Sequence, residues 1–240
     1  MIMLINLDAH CSIFFGDALT CHRSFKDEQF PLFCNKLRQS NDLSHLIILK
    51  QTHSTIGWFI HDINQLSKPI LVEEQEGDYL ITNQNHVGIG VSTADCLPIV
   101  YYIPSKKIVA IAHAGWRGSV AKIAAITLQE LCRYAHANVT DVFIFLGPSA
   151  KQCCYEVTSE FLDNLTEFPY KNKLIRKEAG KIYFDNPLLN KLILMEHGVR
   201  PKQINDQYNA CTVCNHQYHS YRRAKDKKHY QIQTTIVWLT

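Results

Sequence analysis

The sequence predicts a single α+β domain built on mixed β-sheet. Three observations predict it. The chain has 240 residues, 46% of them hydrophobic, enough to bury one large core without cross-links. Short β-rich runs and amphipathic helical stretches alternate irregularly, unlike a regular βαβ array. No stretch rich in Pro, Gly or Ser divides the chain, so residues 1–240 are read as one domain. With 11 Phe, 11 Tyr and 3 Trp the composition excludes disorder. The absence of a repeat or heptad excludes a solenoid and a coiled coil.

Residues 1 to about 45 show little periodicity, and only 13–15 and 30–33 read as short core-facing pieces. Residues 46–49 read as a strand that leads to His53. Residues 73–78 carry Glu73, Glu74, Glu76 and Asp78 and read as an acidic loop. Residues 79–82 read as a strand. Residues 87–91 alternate Gly with large apolar residues, a strand with one face open to another backbone or a ligand. Pro98 lacks an N–H and predicts a bulge or break before the strand 99–103. The strand 108–112 delivers His113, and 114–118 read as a tight turn. A helix is expected from an N-cap at Ser119 to about His136, on apolar residues three and four apart. Residues 142–146 read as a strand and 159–168 as a short helix. A further helix is expected over 187–197, with Asn186 as N-cap and Gly198 as its stop. Residues 233–239 read as the closing strand.

Lys and Arg number 25 against 22 Asp and Glu, a net charge of +3. That balance lacks the clustered basic surplus of a nucleic-acid binder. The one basic knot, Tyr221-Arg222-Arg223-Ala224-Lys225-Asp226-Lys227-Lys228, reads either as a solvated turn or as an anion contact. No apolar run approaches the ~20 residues of a membrane helix. The opening Met1-Ile2-Met3-Leu4-Ile5-Asn6-Leu7-Asp8 lacks the basic segment of a secretory signal. The expected compartment is therefore the cytosol, where thiols stay reduced. There the 12 His and 9 Cys point to metal binding or catalysis.

His53, Cys96 and His113 each fall at or near a strand end among small residues. Two imidazoles and one thiolate suit Zn²⁺, and also copper. Three protein ligands with an open fourth position is the catalytic arrangement. The alternatives are a buried free Cys with two hydrogen-bonded His, or a Cys96–His113 thiolate–imidazolium pair for nucleophilic catalysis. Asp95 is expected to face away from Cys96 across a strand. Cys211-Thr212-Val213-Cys214, with His216 and His219, looks like half a zinc site, but no second Cys-X-X-Cys exists to close it. Of Cys153 and Cys154, at least one is expected in the core.

The motifs Gln51-Thr52-His53, Gly77-Asp78-Tyr79-Leu80-Ile81-Thr82, Ala94-Asp95-Cys96-Leu97-Pro98 and Ala112-His113-Ala114-Gly115-Trp116-Arg117-Gly118 together resemble the YfiH-like family. Its members are also called multicopper polyphenol oxidases or laccase-domain proteins. Gly147-Pro148, Tyr155-Glu156-Val157, Cys211-Thr212, Ser220-Tyr221-Arg222-Arg223 and Ile236-Val237-Trp238-Leu239 extend the resemblance from about residue 46 to the end. It implies an α/β/β/α-type sandwich, shared in outline with a cysteine-dependent toxin deamidase. It implies that His53, Cys96 and His113 ligate one metal, usually zinc and in some claims copper. It implies phosphorolysis of adenosine, inosine and methylthioadenosine, and deamination of adenosine. One branch is linked to editing a peptidoglycan precursor. Two segments depart from the pattern. Phe14 to Arg23 lacks the family's Arg-containing, Gly-rich stretch. Ala224-Lys225-Asp226-Lys227-Lys228 replaces its Asp-Gly and Thr-Gly-Arg.

On this reading the chain is a zinc-dependent purine nucleoside phosphorylase and adenosine deaminase. Deamination needs a carboxylate to move a proton beside a zinc-activated water, and Asp78 is the candidate; the alternative is a turn Asp. Phosphorolysis needs a cationic cradle, and Arg117 before a helix N-terminus is the candidate; the alternative is a clamp on the turn. Trp116 either stacks on a base or belongs to the core. The expected partners are a purine nucleoside and phosphate, with no nucleic acid and no membrane, for a monomer or a homodimer. The rival readings are a Cys96–His113 hydrolase or amidase, a protein that keeps the metal only for stability, and a copper polyphenol oxidase. The last wants several copper sites, and no His-X-His pair is present.

Overall fold

The computed structural model describes residues 3–19, 23–24, 30–66 and 68–240. Met1, Ile2, Thr20, Cys21 and His22, which figure in the opening and N-terminal readings, lie outside the described residues. In chain order the first elements are β1 (Met3–Asn6), β2 (Cys11–Phe15), β3 (Arg23–Ser24), α1 (Phe30–Ser40), β4 (His45–Lys50), β5 (Gly57–Ile60), β6 (Ile70–Glu76), β7 (Tyr79–Thr82), β8 (Val87–Thr93), β9 (Leu97–Ile103) and β10 (Ile108–Ala114). Then follow α2 (Trp116–Val120), α3 (Ile123–Ala135), β11 (Phe143–Leu146), β12 (Glu156–Val157), α4 (Lys171–Leu174), β13 (Ile175–Glu178), β14 (Lys181–Phe184), α5 (Asn186–Glu196), β15 (Ile204–Asn205) and β16 (Gln231–Leu239).

The strands form two large mixed sheets. One runs β1-β2-β16-β8-β4-β6, with β3 also on β16. The other runs β15-β11-β9-β10-β7-β5, and a small sheet, β12-β14-β13, stands apart. Period-two alternation sends each strand's side chains to two faces. Along β10, Val109 and Ile111 point between the sheets, into a core with Ile13, Phe15, Ile89, Leu80, Val100 and Val237. Ile108, Ala110, Ala112 and Ala114 point outward onto Ile123, Ala124, Leu128 and Leu131 of α3. The alanines let that helix lie close. On the far side Phe30 and Cys34 of α1 cover Phe14, Leu46, Ile48, Ile236 and Trp238. The expected mixed α+β architecture, two sheets between two helical layers, is present.

Several local expectations change. Residues 73–76 belong to β6 and not to a loop. Ile70, Leu71, Val72 and Glu76 pair in parallel with β4 across a register shift, and this ladder carries the strand through the acidic run. The break foreseen at Pro98 lies before it, at 94–96, and Pro98 is the second residue of β9. The close approach at Gly88 and Gly90 is met by Leu43, Ile48 and Ile236, leaving no room there for a ligand. Trp116 and Arg117 are already helical, so 114–118 is no simple turn. The helix expected from Ser119 is instead two, broken where Lys122 adopts φ 62. Gly115, not Ser119, caps α2, and Ser119 is buried. Residues 160–165 wind as a 3₁₀ helix. Asp185, not Asn186, caps α5, its carboxylate accepting from the Leu188 N–H. Asn186 is helical and donates its amide to the Ala114 carbonyl at 2.9 Å, tying α5 to the end of β10. Among the described residues no helix is long and apolar enough to cross a membrane.

Candidate metal centre and substrate cavity

The two large sheets bring three strand ends to one place. β4 ends at Lys50, and the loop after it carries His53. β8 leaves one sheet and β9 enters the other, and the turn between them carries Cys96. β10 carries His113 on the inward face that Val109 and Ile111 begin. The nearest ring nitrogens and the sulfur of this trio lie within 4.8 Å of one another. His53 Nε2 is 3.8 Å from Cys96 Sγ, and the two imidazoles meet edge to face at 4.8 Å.

Asp78 organises the trio from behind. Its carboxylate accepts from three successive backbone N–H groups, Thr52, His53 and Ser54, at 3.2, 3.1 and 2.6 Å. A left-handed φ of 60° at His53 curls these donors around the anion. The Ser54 hydroxyl donates at 2.7 Å. The His113 ring donates from Nδ1 at 2.8 Å, which fixes its tautomer and turns Nε2 toward Cys96. Burial opposes the charge on Asp78, but the bonds from His113 and Ser54 win and hold its carboxyl down at about 2. Burial likewise opposes the thiolate of Cys96, but His113 and His53 lower it to about 6. Against burial, Cys96 and Asp78 raise His113 to about 9. The metal-free centre is therefore ionic at neutral pH, and a divalent cation can replace its proton.

Two soft-to-borderline nitrogens and a thiolate converging without a fourth protein ligand fit a zinc or copper ion with an open position. Gly115 shows how tightly the cap of α2 is pressed on the trio. A Cβ there would lie 2.6 Å from His53 Cδ2 and 3.1 Å from Cys96 Sγ.

The trio forms the floor of a cavity of about 570 Å³. Arg117 lies in its wall, stacked 4.4 Å from the Trp116 ring, inside α2 and not in a turn before it. Trp116 touches Phe161 with one edge and reaches the cavity. Asp78 is buried behind the ligands and is not among the lining residues. Asp95 takes φ 88 and turns away from Cys96 by a route other than strand alternation. It accepts from Thr212 Oγ1, Ser220 Oγ and the Arg222 N–H at 2.6, 3.0 and 2.7 Å. Those bonds deliver the basic knot to the site. Arg222 and Lys227 line the cavity, and Arg222 lies over the Tyr155 ring at 4.1 Å. Arg223 instead turns inward onto the Thr212 and Val213 carbonyls. Tyr155, Arg222 and Lys227 were not candidates from sequence, although the basic knot had an anion contact as one reading. A separate cavity of about 280 Å³ lies by Trp58, Phe59 and Leu66.

The Cys-X-X-Cys pair also behaves differently. Cys211 and Cys214 gather with Cys153 and Cys154, and neither His216 nor His219 joins them. Cys153 is exposed and Cys154 half-buried, so neither is the core residue expected.

A family model described as "Multi-copper polyphenol oxidoreductase laccase" matches residues 24–240. The chain is 35% identical over 183 residues to "Adenosine deaminase RL5" from an unknown prokaryotic organism, covering 73% of this chain and 68% of that one. It is 39% identical over 164 residues to a purine nucleoside phosphorylase of Aquifex aeolicus, covering 68% and 72%. Among solved structures, a hypothetical protein YfiH of Bacillus licheniformis superposes with a TM-score of 0.84 at 21% identity, over 96% of this chain and 93% of that one. The chain belongs to the multi-copper polyphenol oxidoreductase laccase family, the YfiH-like proteins.

Proposed function

We propose that this chain is a purine nucleoside phosphorylase that also deaminates adenosine, with zinc held by His53, Cys96 and His113. The observation that carries the reading is the convergence of those three ligands on the floor of a cavity whose walls are aromatic and cationic. Relatives bearing both activity names support it. The whole chain is taken as one catalytic domain working in the cytosol, where its thiols stay reduced.

When bound, the zinc supplies a Lewis acid with an open coordination position. The protein does the rest. Asp78 holds His113 in one tautomer and fixes the His53 loop, so both imidazoles face the cavity. Arg117, Arg222 and Lys227 give the cavity three cations against one lining carboxylate, Asp95, which already accepts from Thr212, Ser220 and the Arg222 N–H, so the balance suits a phosphate dianion. Phosphorolysis forms a C–O bond from phosphate to the anomeric carbon as the C–N bond to the base breaks, and the base leaves with a proton. The same cations balance the charge of the incoming oxygen. Trp116 and Tyr221 supply flat faces at the scale of a purine, while the buried Tyr155 ring carries Arg222 over its face. For deamination, Asp78 acts through His113 and not as a proton shuttle at the substrate, because it does not reach the cavity.

A second reading has a specific observation behind it. Cys96 and His113 present a sulfur and a ring nitrogen within 4.8 Å, with Asp78 bonded to the far side of the imidazole at 2.8 Å, which is also the arrangement of a thiol hydrolase. Chelation separates the two, since a thiol hydrolase keeps its activity without metal. The test is product chromatography with adenosine and inosine, with and without phosphate, in zinc-loaded protein beside Cys96→Ala. Free base released only with phosphate, and lost in the variant, supports phosphorolysis. Inosine formed from adenosine without phosphate supports deamination. Folded, zinc-loaded protein that yields neither product overturns the proposal.

A further inference from the structure

A second group of metal-binding side chains lies outside the cavity. Cys153 and Cys154 sit in the turn between β11 and β12, where the N–H groups of Cys154 and Tyr155 both donate to the Lys151 carbonyl at 2.9 Å. Cys211 and Cys214 sit in the turn beyond β15, with the Asn215 N–H closing on the Cys211 carbonyl at 3.1 Å. The four sulfurs all lie within 4.8 Å of one another, and Cys153 and Cys214 are 4.0 Å apart. None of the four is in a disulfide.

Those distances have a geometric meaning. Four sulfurs around a zinc at ~2.3 Å stand about 3.8 Å apart along the edges of the tetrahedron. A disulfide needs about 2.05 Å. The cluster is close to the first figure and far from the second. Arg223 donates to the Thr212 and Val213 carbonyls at 2.6 and 2.8 Å, placing a cation against a turn that would carry thiolate charge. Cys153 and Cys214 are exposed, Cys154 is half-buried and Cys211 is buried, so the cluster runs from the surface inward.

We propose that Cys153, Cys154, Cys211 and Cys214 form a closed tetrathiolate site that holds one structural Zn²⁺, separate from the site in the cavity. Four soft ligands with no open position select zinc and leave it no catalytic role. The site clasps two turns far apart in sequence. Each turn continues into the cavity wall. Tyr155 follows Cys154, and Thr212, next to Cys211, bonds Asp95 beside Cys96. The second zinc is thus a brace for the wall around the first.

The test counts metal. Full-length protein purified under reducing conditions, then zinc-loaded and desalted, is analysed for zinc per chain by elemental mass spectrometry. Two zinc ions are expected in the parent, one in Cys153→Ser/Cys214→Ser, and one in Cys96→Ala. Both exchanged cysteines of the double variant are exposed, so the fold tolerates the change. X-ray absorption on Cys96→Ala, which needs no change in the cluster, is expected to show zinc with four sulfur neighbours at ~2.3 Å. A double variant with the parent's zinc count overturns the proposal. So does Cys96→Ala protein that holds no zinc, holds iron instead, or shows nitrogen among the zinc neighbours. These readouts do not depend on turnover, so a failed nucleoside assay leaves them intact.

Discussion

Asp78 receives the N–H groups of Thr52, His53 and Ser54, the Ser54 hydroxyl and the His113 ring in one buried carboxylate. An amide of the same shape offers one acceptor oxygen and turns two hydrogens on donors it should accept from. Asp78→Asn therefore loosens the His53 loop and frees the His113 ring while leaving all three ligands in the chain. Zinc affinity at the cavity site is expected to fall by roughly 10- to 100-fold, the usual loss when a group that orients a metal ligand is removed. Competition with a chromophoric chelator, in the Cys153→Ser/Cys214→Ser background, measures it. Unchanged affinity would mean that the ligands hold themselves. Arg117 answers a different question. It is exposed and stacked on Trp116, without a role in the core. Arg117→Ala is expected to raise KM for phosphate by roughly tenfold, about one charge-assisted hydrogen bond, with a smaller change for the nucleoside. If instead both constants hold and the melting temperature falls, Arg117 is a clamp on α2.

At the scale of elements, the decisive contact is a helix start against a metal centre. Gly115 has an ordinary φ of −66°, so its backbone would accept alanine without strain. The obstacle is space, because the added methyl meets His53 and Cys96. Gly115→Ala is thus expected to weaken zinc binding in the cavity by at least as much as Asp78→Asn, with the far-UV spectrum and the tetrathiolate zinc retained. Loss of fold, or unchanged binding, would contradict that account. The glycine was legible in sequence only as part of a turn. His53, Cys96 and His113 were legible as one metal trio through the family motifs around them, since strand ends and small residues alone left open a buried free Cys with two hydrogen-bonded His. The break at Lys122 left no mark, since neither Gly nor Pro occurs there and the chain accepts a left-handed lysine instead. Asp185 and Asn186 are both capping residues, and a Pro187 taken as the first helical residue points to Asn186, one residue past the cap the helix uses. The Cys153–Cys214 contact spans 61 residues, and no local pattern reports a partner at that distance.

The whole molecule explains why a three-ligand centre also bears on stability. His53 hangs from the sheet that contains β4, His113 belongs to the sheet that contains β10, and Cys96 sits on the crossover from β8 to β9. A cation held by all three bridges the two sheets at the open end of their shared core. It binds a geometry that the unfolded chain does not offer, so its binding free energy adds to folding. At a free zinc concentration 100 times the dissociation constant the gain is about 2.7 kcal/mol. For a chain of this length each kcal/mol is worth roughly 2–4 °C, so zinc should raise the melting temperature by about 5–11 °C. The tetrathiolate site would add its own increment, so the measurement belongs in Cys153→Ser/Cys214→Ser protein, scanned by calorimetry across a zinc titration. Replacing His53 by alanine removes the ligand on the first sheet and leaves Cys96 and His113 on the second sheet and its crossover. The same titration should then give little shift. If His53→Ala keeps the full shift, the cation is not bridging the sheets, and the cavity floor is organised by Asp78 alone.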